Sequence, residues 1–386
     1  MVNCIMRTSA SLTLILLTNV AGVGQIKVPT SYGEGISLVG SDSSFSLTLG
    51  ARFQPLYSGT RAVDGYTDEF QIRRARVSFE GFAVSPSLQY KFELALSNQD
   101  MAGGADPEFG NTANIVLDAY AEWNFYRKWS LRFGQAKLPG NRERIISSQD
   151  LQFVDRSEVN NNFNLDRDVG LQILFKSEYV NFTGAWSMGE GRNIIVDNYG
   201  GYAYTIRGEY LPFGSFTDDG DYFGADLARE ENPKLSIGLV FDFNEGASRQ
   251  MGQLGDFLTE TRDLRTWFAD VHFKYRGFST LIEAVSRTAP DGPVISGEDG
   301  GTQSYYTGEG ISIQAGYLFV SRFEIAGRVT RIEPDSVTQI SDFTQYTAGL
   351  SRYIYKHRLK IQGDVSFTDL VADDRWMFRL QAEVSI

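Results

Sequence analysis

The sequence predicts an all-β fold, a closed antiparallel transmembrane β-barrel of about 16 strands with an inward-folded third loop. Apolar and polar residues alternate with period two in runs of about 10 to 12 residues, the length of a tilted strand that crosses a bilayer. Long and short connections alternate between these runs. One connection, at 138–166, has 29 residues, whereas a usual loop has about 4 to 6.

The N-terminus has the pattern of a secretory signal. The basic residue Arg7 precedes an apolar run at 12–17 and then small residues, which predicts a cleaved signal peptide at 1–24, with cleavage after Ala21 as the alternative. The apolar run is too short to span a bilayer. We therefore expect export through the inner membrane.

The rest of the chain divides into two predicted parts. Residues 25–43, polar and glycine-rich, are expected to form a short periplasmic lead segment, and 44–386 the barrel domain. The single cysteine, Cys4, lies in the signal, so we expect no disulfide or thiolate chemistry in the mature chain. With 48 acidic and 36 basic residues the net charge is −12, which argues against nucleic-acid binding.

The strands are predicted from alternation. In the third run Leu94 falls on the apolar face and Lys91 on the polar face, and in the fifteenth Ile361 and Gln362 divide in the same way. Runs centred near 282 and 350 alternate least. The predicted runs are 44–57, 68–83, 86–97, 112–125, 128–137, 167–177, 179–188, 199–211, 234–245, 262–275, 277–287, 309–320, 322–332, 343–355, 358–368 and 375–386.

Connection lengths give the orientation. Short links follow even-numbered runs and longer links follow odd ones, as expected for periplasmic turns and external loops. The longer links lie near 58–67, 98–111, 138–166, 189–198, 246–261, 288–308 and 333–342. The link at 212–233 is long where a short turn is expected, and we interpret it as a small periplasmic excursion. Aromatic residues near the short turns, such as Trp123, Phe319 and Tyr353, predict a girdle at the periplasmic interface.

The third loop carries its own pattern. Ser147 and Asp150 match a capping box, and Leu151, Val154 and Val159 follow at roughly helical spacing. A short helix with an apolar stripe needs a surface to pack on, and the inner wall is the nearest one. We therefore expect a helix after Ser147 and a loop that folds inward and narrows the pore.

Two segments resemble a known family. GQAKLPGNRERIISSQDLQFVDRSEVNNNFNLDRDVGLQI is similar to the third-loop region of the porin O and P family, the phosphate-selective porins of Gram-negative outer membranes. FQIRRARVSFEG resembles the early strand of that family. The resemblance implies a sixteen-stranded barrel, often a homotrimer, with basic residues at the constriction and along the lumen.

The resemblance also implies site residues. It carries over to the pore-constriction and anion-path residues Arg73, Arg74, Arg76, Lys137, Arg156 and Arg167. We add Arg142 and Arg144 to the predicted pore-constriction residues because of their position in the third loop. Gly140 stands where phosphate-selective members tend to have an aromatic residue, and Asp155 replaces their usual Glu, so phosphate selectivity stays open.

Carboxylates accompany these basic residues. For a lumenal arginine on the wall we favour a salt-bridged structural role over a solute ligand. For the loop arginines the two roles are balanced, because Arg156 and Arg167 can equally pin the loop through Asp155 or Asp168.

Catalysis and metal binding are weaker hypotheses. The two histidines, His272 and His357, have no flanking nucleophile motif, so wall or turn roles are favoured. The acidic stretch DDGDYFGAD at 218–226 offers oxygen ligands, but its spacing does not match a calcium loop, and a solvated turn is favoured.

The sequence therefore predicts an outer-membrane passive diffusion channel without cofactor, embedded in outer-membrane lipid. Its solutes would be small and hydrophilic, inorganic anions such as phosphate among them. The alternative is a barrel that serves as a structural or binding scaffold for other envelope proteins.

Overall fold

The computed structural model describes residues 25–27, 32–101, 114–194, 198–297, 300–370 and 374–386. In these ranges sixteen antiparallel strands form one closed barrel, and all sixteen predicted strands are present. No helix in these ranges is long and apolar enough to cross a membrane. The strands are β1 (Ser46–Ala62), β2 (Gly65–Phe82), β3 (Leu88–Ala95), β4 (Val116–Tyr126), β5 (Trp129–Lys137), β6 (Arg167–Lys176), β7 (Val180–Ser187), β8 (Ala203–Tyr210), β9 (Lys234–Arg249), β10 (Phe257–Tyr275), β11 (Phe278–Thr288), β12 (Gly308–Leu318), β13 (Phe323–Pro334), β14 (Phe343–Tyr355), β15 (Leu359–Leu370) and β16 (Arg375–Ser385).

The last strand closes the barrel against the first. Leu380 in β16 pairs with Tyr57 in β1, and the amide of Ile386 donates to the carbonyl of Ala51 at 2.8 Å. Closure gives the backbone groups of both edges a partner, which an apolar solvent requires.

The barrel is apolar outside and polar inside. In β15 Lys360 and Gln362 point inward and are at most 2% exposed, whereas Ile361 and Val365 point outward and are 46% and 38% exposed. A protein that faces water would show the opposite arrangement. The predicted assignment of Ile361 to the outer face and Gln362 to the lumen is confirmed.

The two poorly alternating strands have apolar or small residues on the inner face. Leu281 and Val285 in β11 point inward, where they pack against loop residues. Gly349 in β14 also points inward, and a Cβ there would lie 2.9 Å from the ring of Phe153. The alternation is weak because these positions face the loop rather than water.

Two predicted external loops are mostly strand. β1 and β2 continue to Ala62 and Gly65, and β9 and β10 continue to Arg249 and Phe257, so the links predicted near 58–67 and 246–261 are far shorter. Strand pairing continues past the point at which the apolar alternation ends.

The predicted lead segment lies at the short-turn end of the barrel. Residues 25–27 pair with Ile36–Val39, which pair with the beginning of β1. Tyr32 contacts Tyr355 edge to face, with 5.5 Å between ring centroids. The predicted signal peptide, 1–24, is outside the described residues.

The link at 212–233 is not a simple excursion. It enters the barrel from the short-turn end, forms a 3-10 turn at Thr217–Tyr222 and packs against inward-facing residues of β10. The prediction of a small periplasmic excursion was wrong, because partners on the wall, distant in sequence, hold the segment inside.

The aromatic girdle is present with one exception. Trp123 and Phe319 point outward and are 53% and 43% exposed. Tyr353 is fully buried instead, and its hydroxyl donates to Glu324 at 2.6 Å. Its assignment to the girdle was wrong, because its place in β14 directs it inward.

Candidate functional site

The segment between β5 and β6 folds into the lumen, as predicted. The amide of Leu138 donates to the carbonyl of Asp166 at 3.0 Å, which closes the base of the loop. Residues 138–166, called the constriction loop below, contain two short helices, α1 (Arg142–Ile145) and α2 (Glu158–Phe163). Most of the loop is buried against the inner wall.

The predicted helix after Ser147 is absent. Ser147 begins a turn, in which its carbonyl accepts from the amide of Asp150 at 2.9 Å, and the chain then runs without helix to Ser157. The helix begins after Ser157, whose hydroxyl accepts from the amide of Asn160. The helical spacing of the apolar residues led to a wrong prediction. The backbone between the turn and α2 forms hydrogen bonds with the inner wall rather than within a helix.

The middle of the loop is held by polar residues of β14 and β15. Lys360 donates to the carbonyl of Leu151 at 2.8 Å, and the amide of Val154 donates to Asp364 at 3.1 Å. Wall side chains therefore satisfy loop backbone groups that a helix would have satisfied internally.

Helix α2 is held by apolar contacts. Val159 and Phe163 pack against Phe268, Val285 and Ile332 on the inner wall. The predicted packing of an apolar stripe on this wall is confirmed for Val159. Burial of this cluster stabilises the inward position of the loop.

Arg142 fixes the beginning of the loop to β8 and β10. Its guanidinium forms ion pairs with Glu209 at 2.7 Å and Asp270 at 3.2 Å, and it donates to Ser236 at 2.8 Å. Tyr222 of the inward link lies against it, 5.4 Å from ring centroid to Cζ. Arg142 is 0% exposed, so it does not border open lumen.

Arg156 binds backbone rather than carboxylates. It donates to the carbonyls of Glu143 and Ile146 at 2.8 and 2.7 Å, and within the described ranges it forms no ion pair. Burial, and next the nearby Arg74, lower the pKa of Arg156 to about 9, so it keeps its positive charge at neutral pH.

Arg73 and Arg74 of β2 hold the loop through Asp155. Their guanidinium groups lie 3.0 and 3.1 Å from its carboxylate oxygens. Burial opposes ionisation of Asp155, but the charges of Arg74 and Arg73 hold its pKa well below the ordinary value. The ionised Asp155 therefore joins the loop to the wall through its two ion pairs.

Arg76 and Arg167 belong to ion pairs of the wall. Arg76 pairs with Glu93 at 2.8 Å and also binds Asp100, and Arg167 pairs with Asp118 at 2.7 Å. The salt-bridged role predicted for wall arginines is confirmed for Arg76, whereas for Arg167 the prediction left a salt-bridged role and a solute-binding role balanced. Arg167 pairs with Asp118 rather than with Asp168, which instead accepts from the amides of Val169 and Gly189.

Arg144 and Lys137 lie near the base of the loop, and Lys137 also borders open lumen. Arg144 pairs with Asp166 at the base of the loop. Lys137 donates to the carbonyl of Ile145 at 3.2 Å, and within the described part of the chain it pairs with no carboxylate.

Beside Lys137 the lumen stays open. A cavity of about 630 Å³ lies between the inner wall of β4–β8, the constriction loop and Tyr222. Its basic lining residues are Arg127, Lys128, Arg132, Lys137, Lys176 and Arg207, and its acidic ones are Glu122 and Glu209. Arg132 pairs with Glu122 at 2.7 Å. Six basic residues against two acidic ones leave the lining positive on balance.

Position 140 excludes a large side chain. A Cβ on Gly140 would lie 2.9 Å from Leu165. The Gly140 carbonyl also accepts from Arg207 at 3.0 Å. An aromatic residue, as in the phosphate-selective pattern, would have to displace Leu165.

The two histidines are buried among aromatic residues. His272 stacks on Phe216 and lies 3.2 Å from the carbonyl of Asp221. His357 lies between Phe223 and Tyr353, and burial holds the pKa of this turn residue well below its ordinary range. Both positions are structural.

The acidic stretch at 218–226 does not form a metal cage. Asp219 pairs with Lys176, Asp221 with Arg142, and Asp226 accepts from the amides of Glu230 and Gly277. In the described ranges no group of carboxylate, histidine or cysteine ligands converges as a metal site would require.

Sequence reasoning missed several partners of the site. Glu209 lies two residues after Arg207 on the same inward face, a signal that was available from the period of β8. Asp100 lies in a loop, where no strand period indicates direction. Tyr222 belongs to the link whose inward fold was not predicted.

The closed barrel with an inward third loop and a charged lumen defines a porin-type channel. The family of phosphate-selective porins O and P matches residues 47–280, more than half of the chain. The chain therefore belongs to this family: it is an outer-membrane porin. Short turns are accordingly called periplasmic below.

Individual relatives agree with this fold. An uncharacterized protein of Aquifex aeolicus (strain VF5) is 25% identical over 332 residues, which cover 78% of this chain and 76% of the relative. The anion-selective porin from Comamonas acidovorans has a TM-score of 0.55 at 12% identity, over 89% of this chain and 100% of that one. The trimer form of OmpT of Vibrio cholerae has a TM-score of 0.54 at 10% identity, over 88% and 99%.

Proposed function

We propose that this porin is a passive, anion-preferring diffusion channel for small hydrophilic solutes, inorganic anions such as phosphate among them. The observation that carries the proposal is Lys137. Its side chain borders the open cavity and pairs with no carboxylate in the described ranges. A fixed charge that is not neutralised locally selects against ions of its own sign.

The proposed water path runs along the inner wall of β4–β8. On the other side the constriction loop packs on β10–β13 through α2 and bonds to β14 and β15 through its backbone. Solute is therefore confined to the wall that carries Lys137 and the basic cavity.

We assign different roles to the eight basic site residues. Lys137 gives the path its charge, since it lines the open cavity. Arg144, Arg167 and Arg76 form ion pairs at the base of the loop or on the wall. The other four, Arg73, Arg74, Arg142 and Arg156, position the loop.

The remaining parts of the proposal concern processing and assembly. We propose that 1–24 is removed as a signal peptide, that 25–43 leads into the barrel, and that the porin forms a homotrimer in outer-membrane lipid. The trimer form of OmpT supports the last point. Transport requires no cofactor, and no enzymatic activity is assigned to the chain.

The test is the reversal potential in a salt gradient across a planar bilayer, for the parent and for Lys137→Gln. We expect the variant to shift toward cation preference at low salt, because the Debye length of about 30 Å at 0.01 M lets a fixed charge act across the pore. At 1 M salt, where that length is about 3 Å, the shift should nearly vanish.

The control is Arg331→Gln. Arg331 carries the same charge, but it lies outside the lumen, exposed and paired with Glu333. An equal shift in both variants would contradict the role of Lys137. A folded parent barrel that passes no current would favour a scaffold for envelope proteins instead.

A further inference from the structure

The link at 212–233, called the periplasmic segment below, makes extensive contacts inside the barrel. Three of its carbonyls, those of Gly220, Phe223 and Ala225, accept from the ammonium group of Lys274 at 2.7 to 2.9 Å. Asp226 accepts from the amide of Gly277 at 2.7 Å. An inward lysine of β10 thus satisfies the backbone of a segment that forms no sheet of its own.

Apolar contacts hold the same segment on neighbouring strands. Ala225 packs with Leu318 of β12 and Tyr353 of β14, and Phe216 stacks on His272. Arg229 donates to the carbonyls of Leu318 and Arg276. The segment therefore covers the inner wall at the periplasmic ends of β10–β14.

The segment also meets the constriction loop from below. The amide of Gly224 donates to the carbonyl of Asp150 at 2.8 Å, and Asp221 and Tyr222 lie against Arg142.

The tip of the segment reaches the opposite wall. Asp219 pairs with Lys176 at the periplasmic end of β6 at 2.6 Å, and the same ammonium group lies 5.7 Å from the ring centroid of Tyr222. Both charged side chains are more than half exposed, at 58% and 63%. Lys176 and Tyr222 line the basic cavity at its periplasmic end.

We propose that the periplasmic segment is a second constriction: it narrows the periplasmic side of the lumen beneath the loop and leaves an opening beside Lys176 and Tyr222. The opening is selective, because an anion that passes it competes with Asp219 for Lys176. This inference rests on the proposed path along β4–β8. It adds a periplasmic element that sets both pore width and ion preference.

The first test removes the segment. Tyr210 and Ile237 are paired, so β8 and β9 are already neighbours and a short hairpin turn can replace 214–231. We expect a rise in single-channel conductance at 1 M salt, where screening makes conductance report width rather than charge. This outcome does not depend on anion preference, so it separates this inference from the Lys137 test.

The second test keeps the segment and removes one charge. Asp219→Asn should shift the reversal potential toward anion preference at low salt, and Lys176→Gln should shift it toward cation preference. Exchanging the pair, Lys176→Asp with Asp219→Lys, keeps the local charge balance and should return the potential close to that of the parent. These residues are exposed, so the variants test the proposal even if the deletion fails to fold.

Asp218→Asn is the matched control. Asp218 is the adjacent carboxylate of the same turn, but it lines a different cavity, of about 380 Å³, beside Lys274 and His357. We expect a smaller shift than for Asp219→Asn. Equal shifts in the two variants, or unchanged conductance in a folded deletion variant, would overturn the proposal.

Discussion

At the scale of single residues, the position of a basic side chain decides whether its charge is paired within the protein or available to a solute. Arg142 is enclosed by Glu209 and Asp270, whereas among the described residues the ammonium group of Lys137 donates to a backbone carbonyl and pairs with no carboxylate, and Lys137 borders the cavity. A buried arginine whose partners depend on it is structural, because its removal leaves carboxylates without compensation. A cation without such a partner is available to a solute.

Arg142→Gln should therefore destabilise the barrel. Removing one member of a buried ion cluster costs about 3 to 5 kcal/mol, and Arg207 will compensate part of this because it also pairs with Asp270. We also expect larger fluctuations of open-channel current, since the loop loses its tie to β8 and β10. Unfolding titrations and single-channel recordings measure the two effects.

The reference for this change is Arg262→Gln. Arg262 pairs with Glu260, which is 49% exposed, and such surface pairs contribute about 0 to 1 kcal/mol. If the two variants lose similar stability and show equal fluctuations of open-channel current, Arg142 does not hold the loop in place.

At the scale of elements, the constriction loop and the wall have separate sources of stability. The wall is made by strand pairing, in which Lys137 of β5 already lies opposite Arg167 of β6. The loop is held by packing of α2 and by wall side chains that bond to its backbone. We therefore expect the loop to be dispensable for closure and to set the width of the pore.

Replacing 139–165 with a short turn should give a closed barrel with higher single-channel conductance. Stability should fall, because the inner-wall residues Phe268, Val285 and Ile332 lose their apolar cover. Conductance at 1 M salt and an unfolding titration test the two expectations.

Shortening the external loop at 336–341 provides the comparison. It is largely exposed and lies between β13 and β14 at the external end. We expect it to leave conductance unchanged. No gain of conductance on removal of the constriction loop would mean that the narrowest point lies elsewhere, with the periplasmic segment as the first candidate.

At the scale of the whole molecule, the bilayer acts as the outer solvent and water as the inner one. Apolar side chains such as Leu350, Val365 and Leu380 are 54%, 38% and 47% exposed on the outside. These exposed apolar residues are stable there because lipid, and not water, covers them.

Val365→Arg should cost about 2 to 4 kcal/mol in a bilayer, since Val365 lies near the middle of β15 and a charge on the lipid face is most costly at the midplane. Val320→Arg is the same substitution in the periplasmic turn, where the cost should fall to about 0 to 1 kcal/mol. Unfolding titrations in vesicles give both values. Equal costs would refute the assigned depth.

The sequence by itself determined the strands, their number and their direction. Period-two alternation is a local property, so sixteen runs were visible without any tertiary contact, and connection lengths then indicated which end carries the long loops. The poor alternation of β11 was itself informative, since Leu281 and Val285 face the loop. Resemblance, together with position in the loop for Arg142 and Arg144, supplied the predicted constriction residues, although not their partners.

Only the tertiary structure decided which charges are free and which are paired. Arg142 and Asp270 are 128 residues apart, and Val154 and Asp364 are 210 apart, so no local pattern indicates either contact. The same reason applies to the periplasmic segment and to the loop without a helix after Ser147. In both, the backbone is satisfied by side chains of a distant wall, and a barrel brings that wall within reach only when it closes.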